Sequence, residues 1–185
     1  MPDWQRRAAW LAVMAALFAF LPLALLLLGG GYLFRLAELS MIFVILSTSL
    51  NLVTGTAGLV SLGHAAFYAV GAYTAALLSV RYQLGLEATL PASMLVAGAV
   101  AALVALPAIR LVRIFFTVAT LSAGEIINAV LLNWDALTNG PMGVRSIPRL
   151  AVFGLDLSGR LGTYYAIAAV TAACVWVVHR LTHSY

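Results

Sequence analysis

Between Leu39 and Val80 the chain carries no Asp, Glu, Lys or Arg. One helix needs roughly 20 apolar residues to cross a bilayer, and this run is about twice that length. Two membrane spans must share it. Where they join lies a string of small polar and backbone-permissive residues: Asn51, Thr54, Gly55, Thr56, Gly58, Ser61, Gly63 and His64. Glycine costs on the order of 1 kcal/mol in a helix interior and tolerates positive φ, so Gly55, Gly58 and Gly63 favour an interruption. N–H and C=O groups freed at membrane depth are tolerable only where protein buries them or a wet cavity receives them. Transporters place substrate sites at such interruptions. From the residues alone two readings stay open, a short turn between two ordinary helices and a functional break.

Composition fixes the class. Hydrophobic residues make up 64% of the chain and charged residues 9%, against about 25% charged in an average soluble domain. No hydrophilic segment is long enough for a separate soluble domain. The expected fold is an all-α integral membrane protein, a single domain over residues 1–185. It is a bundle of about six transmembrane helices with a broken or re-entrant segment near residues 54–64. All ten basic residues are arginine. A P-loop needs a lysine on the nucleotide phosphates, so this chain is not itself a P-loop ATPase. The arginines stand at the ends of apolar runs, as membrane anchors do, and give no reason to invoke nucleic acid. Cys174 is the only cysteine. It reads as a small buried hydrophobe, with a reactive thiol as the remote alternative.

In chain order, the spans are expected near 8–28, 36–54, 64–80, 89–109, 114–133 and 161–178. Arg6 and Arg7 precede the first, which is too long for a signal-peptide core and carries Pro22. Gly29, Gly30, Gly31, Arg35 and Glu38 mark the turn into the second. In the third, Ala65, Ala69, Ala72 and Ala76 form a small-residue stripe that lets another helix approach closely, with Tyr73 on the opposite side. Pro91 suits the first turn of the fourth span, where Ala97, Ala101 and Ala105 form one small row and Gly98 with Ala102 another. Trp134–Arg160 is the longest loop, with Asn139, Gly140, Pro141 and Gly143 as a turn cluster. His179 and His183 are four apart, but a zinc-protease H-E-x-x-H pattern would need glutamate where Arg180 stands, so a surface anchor is the better reading.

The helix over 114–133 is the second informative element. At about 100° per residue, Thr117, Thr120, Gly124, Glu125 and Asn128 share an arc of roughly 140°, and Phe115, Phe116, Ala119, Ala123, Ile126 and Val130 fill the other side. An acidic residue near a span centre costs roughly 2.5–3.5 kcal/mol on insertion scales, so Glu125 is expected to face protein or water. An arginine or backbone N–H groups of the broken segment are its candidate partners. The role is a structural tie between helices or a part of a solute path. His64, at the start of its helix, either hydrogen-bonds the interrupted backbone or has a gating or proton-linked role.

The order N-L-x-x-G-x-A-G-x-x-S-L-G-H-A-A-F-x-x-x-G-A-Y from Asn51 to Tyr73 resembles the permease subunits of bacterial branched-chain amino-acid ABC importers. The stretch T-V-A-T-L-S-A-G-E-I-I-N-A-V-L-L-N-W-D-A-L-T-N-G-P-M-G-V-x-x-I-P from Thr117 to Pro148 is similar to a second stretch of the same permeases. The resemblance implies a multi-pass protein of the bacterial inner membrane, with a cytoplasmic N-terminus and an external long loop. It also implies a second permease subunit, two ATP-binding subunits that use the ATP, and a periplasmic or lipid-anchored substrate-binding protein. No cofactor or metal is expected on this chain and no catalysis. Such permeases continue beyond this length, so the cytoplasmic segment that engages the ATPase is expected after His183, Ser184 and Tyr185, and the chain reads as an N-terminal part.

The candidate path residues are Asn51, Thr54, Gly55, Gly58, Ser61, Gly63, His64, Thr117, Glu125 and Asn128. Two alternatives stand beside transport of branched-chain amino acids. One is a permease for a related small solute such as urea, short amides or sugars. The other is a non-transporting membrane scaffold left by truncation. An intramembrane hydrolase is weaker, because Ser61 and His64 lack a third orienting group.

Overall fold

In the computed structural model, the described residues are 22, 31–56, 58–111, 113–148, 151–152, 155–157 and 159–182. The expected span over 8–28 lies outside them except for Pro22, which is helical and fully buried. Five long helices carry the rest: α1 (Gly31–Asn51), α2 (His64–Tyr82), α3 (Leu86–Ala108), α4 (Arg113–Asn133) and, after the long loop, α6 (Arg160–Thr182). A four-residue helix, α5 (Asp135–Thr138), opens that loop. Its only described strands, β1 (Ala151–Val152) and β2 (Leu155–Asp156), form a small antiparallel hairpin. Gly31–Gly55, Leu86–Ala108, Ile114–Asn133 and Arg160–Thr182 are each long and apolar enough to cross a membrane. The charge-free run therefore does hold two helices, α1 and α2, with a break between them.

Several boundaries differ from the sequence reading. α1 already includes Gly31, ahead of the expected start at 36, and Arg35 and Glu38 lie inside it, where a long charged side chain still reaches the membrane surface. α3 begins at Leu86, with Gly85 extended before it and Glu87 in the first turn, where a carboxylate complements the positive end of the helix dipole. Pro91 consequently lies in the second turn of α3, not the first. α6 runs on to Thr182, past the expected 178.

The helices pack as two pairs and a bridge. α1 lies on α6: Phe34 and Met41 are buried with Tyr164, against Ala37, Ile167 and Ala168. The Phe34 and Tyr164 rings meet edge to face, centroids 6.1 Å apart and planes at 83°. α2 and α3 form an antiparallel hairpin turned at Gln83, whose φ of 54° is the left-handed conformation that ends many helices. A Cβ added at Gly71 would stand 3.6 Å from the Ala97 Cβ, ordinary contact distance, so Ala97 of the first small row of α3 packs on α2. The second row does not: a Cβ at Gly98 would meet nothing within 4 Å, and Ala102 is exposed. α4 bridges, touching both α2 and α3. The apolar side of α4 turns to α3, where Ala119 and Ala123 face Val104, Pro107, Ala108 and Leu111 across a shallow apolar groove.

The ends sort consistently. The start of α1 meets the start of α6 at Gly31 and Arg160. The Arg81 guanidinium at the end of α2 donates to the Ala136 carbonyl in α5 at 3.3 Å. Arg35, Arg81, Arg145 and Arg160 thus gather at the end that carries the long loop. Arg110, Arg113 and Arg180 belong to the opposite end. Among the described residues few are buried and most helix surface is uncovered, as on faces that meet lipid or other protein.

Candidate functional site

The interruption starts by widening the helix. Leu52–Thr56 form a π-helical turn, a local expansion that recurs at functional positions. The Thr54 hydroxyl donates back to the Leu50 carbonyl, one of several such bonds along α1 that loosen a helix locally. Gly58 then takes φ of 64°, a conformation disfavoured for any residue with a Cβ. The Leu59 N–H still reaches the Val53 carbonyl at 3.5 Å. From there to Gly63 the backbone is not helical, and α2 starts at His64.

The stretch from Val60 to Gly63 is held by the polar side of α4. The Thr117 hydroxyl donates to the Val60 carbonyl at 3.0 Å. The Leu62 N–H donates to the Thr120 hydroxyl at 3.3 Å, and that hydroxyl donates in turn to the Thr117 carbonyl at 2.9 Å. Two backbone groups freed by the break are thereby satisfied inside the protein. The contact tightens one turn on. A Cβ added at Gly63 would sit 2.1 Å from the Thr120 carbonyl oxygen, and one at Gly124 would sit 3.1 Å from the Gly63 Cα. Main chain lies on main chain, which only a residue with no side chain permits. Ser61, Gly63 and Thr120 are buried.

Beside this contact a cleft of about 260 Å³ opens between α2 and α4. Leu62, Gly63, Ala65, Ala66 and Ala69 line one wall, and Leu121, Gly124, Glu125, Ile127, Asn128 and Leu131 the other. At 1.5 Å per residue, Glu125 stands about 18 Å along α4 from Arg113, near the middle of a span about 30 Å thick. The Glu125 and Asn128 side chains are exposed in the lone chain. Neither an arginine nor a backbone N–H partners the Glu125 carboxylate among the described residues, contrary to the expected pairing.

The sequence-derived residues therefore do not all meet at one place. Ser61, Gly63, Thr117, Glu125 and Asn128 come together at the joint and its cleft. His64 is half-buried at the start of α2, beside the cleft but outside its lining. Asn51 ends α1, and Thr54 and Gly55 lie on the π turn, which packs toward α1 and α6; none of the three lines the cleft. Gly58 supplies the bend. Thr120 and Gly124 are missing from the candidates although both hold the broken segment. Their signal was present in the shared arc with Thr117, which placed small and hydroxyl residues where another backbone can approach.

A family model described as "Branched-chain amino acid transport system / permease component" matches residues 32–183. The chain is 44% identical over 123 residues to the "High-affinity branched-chain amino acid transport system permease protein LivM" of Escherichia coli. To the protein of the same description from Salmonella typhimurium it is 43% identical over 123 residues. Each match covers 66% of this chain and 29% of the relative. No solved structure matches.

Proposed function

Because this chain belongs to the branched-chain amino acid transport system permease family, matched over residues 32–183, we propose that it forms part of the translocation path of an ATP-binding-cassette importer in the bacterial inner membrane. The observation that carries the reading is the joint just described: a broken helix seated backbone to backbone on the polar side of α4, with a carboxylate and a carboxamide in the cleft beside it. Discontinuous helices of this kind are where transporters form solute sites. The cargo is a branched-chain amino acid, the solute for which the relatives are named.

A second permease subunit completes the path, two ATP-binding subunits drive it, and a periplasmic or lipid-anchored binding protein delivers the solute. ATP is used by those partners and no cofactor is held here. The path is lined by Glu125, Asn128 and the Ser61–Gly63 backbone, with His64 at its edge. Asn51, Thr54, Gly55 and Gly58 act one step away, by shaping the break. Since the chain spans 29% of the relatives it matches, the test uses the complete transporter. Reconstituted in vesicles with all partners, it accumulates labelled leucine when ATP is supplied. Uptake that persists when the subunit carrying this chain is omitted overturns the reading.

A further inference from the structure

Resting on that reading, we propose that Glu125 is the residue that selects for a protonated amine, pairing with the ammonium group of the passing amino acid. The cleft presents one carboxylate and one carboxamide, and its remaining walls are aliphatic or backbone, including Leu62, Ile127 and Leu131. A solute complementary to that surface has one cationic head and an aliphatic tail. Urea, short amides and sugars lack the cation and would leave the carboxylate uncompensated. The fixed partners that would make Glu125 a structural tie are absent among the described residues: no arginine and no backbone N–H bonds it. Position agrees, since Glu125 lies one residue beyond Gly124, which touches Gly63. The carboxylate thus stands next to the joint where the helix is interrupted, near mid-bilayer, where an ammonium finds little water to compete for it.

The test compares Glu125→Gln and Glu125→Asp in the complete reconstituted transporter. Losing one charged hydrogen-bond partner is expected to slow leucine uptake roughly ten- to hundredfold in Glu125→Gln, with subunit assembly unchanged, and Glu125→Asp is expected to restore most of the rate. A readout apart from uptake is modification of Glu125 by a hydrophobic carbodiimide. Leucine and isopentylamine slow the labelling, and isocaproate, which keeps the tail but lacks the amine, does not. Uptake by Glu125→Gln at the wild-type rate overturns the proposal, as does equal protection by isocaproate. Loss of assembly in both variants assigns Glu125 to structure and also overturns it. A wild-type complex that takes up no leucine would instead fail the reading beneath.

Discussion

At the scale of single residues, the same amino acid does opposite things at two positions. Gly63 has a backbone carbonyl 2.1 Å from where its Cβ would be, whereas Gly98 has open space. Backbone cannot swing aside as a side chain can, so Gly63→Ala forces the break and α4 apart at a cost of about 1–3 kcal/mol. Gly98→Ala gains helix propensity, up to about 1 kcal/mol, and disturbs nothing within the chain. Thermal unfolding of the purified protein in detergent is expected to move down for Gly63→Ala and to hold or rise for Gly98→Ala. Sequence made both glycines visible but could not tell them apart. Each is a small residue in an apolar helix or at its edge, and only a partner distant in the chain, Thr120 in one case and none in the other, separates them. For the same reason Glu125 could be placed on a polar arc and near mid-span, while its lack of an arginine partner could not be foreseen.

Between elements, the break and α4 are joined by two hydroxyls rather than by apolar interlocking. Thr120 is the more exposed to test, because one oxygen serves both strands of chain, accepting from Leu62 and donating to Thr117. Thr120→Val keeps the shape and leaves the Leu62 N–H without a partner, a loss of about 1–2 kcal/mol. That loss is expected to speed amide hydrogen exchange around Leu62 roughly five- to thirtyfold, with α1 and α6 unaffected. At this scale most helices were legible from charge-free runs, and the break from its glycines. The starts of α1 and α3 were not, because Arg35, Glu38 and Glu87 look like loop residues until they are seen inside their helices. The placement of Asn51, Thr54 and Gly55 was missed too. They are close in sequence to Ser61 and Gly63, but the π turn and the bend at Gly58 direct the two stretches to different neighbours.

Over the whole molecule, the two ends of the bundle make a topological prediction. The loop from Trp134 to Arg160 and the arginines Arg35, Arg81, Arg145 and Arg160 share one end, expected to face outward where a binding protein docks. Arg110, Arg113 and Arg180 occupy the end expected to face the cytoplasm. With Cys174 replaced by Ser, a cysteine at Met142, which is 68% exposed, is expected to react with a membrane-impermeant maleimide in intact cells. One at Ile109, 65% exposed, is expected to react only after the cells are opened. The reverse pattern would invert the orientation. Arginine count alone could not decide this, since alternating spans put five arginines at each end; contacts such as Arg81 with Ala136 agree with that grouping of ends. Few of the described residues are buried within the chain, so the helix faces beside the cleft are left for its surroundings to cover.

The bare seam between Gly63 and Gly124 also bears on motion. Most packed helices mesh like gear teeth, and sliding one past another means lifting each knob out of its hole. Here there are no teeth at the point of closest approach. Two smooth surfaces pressed together can slip with little friction, so on the proposed function the slip plane lies beside the cleft.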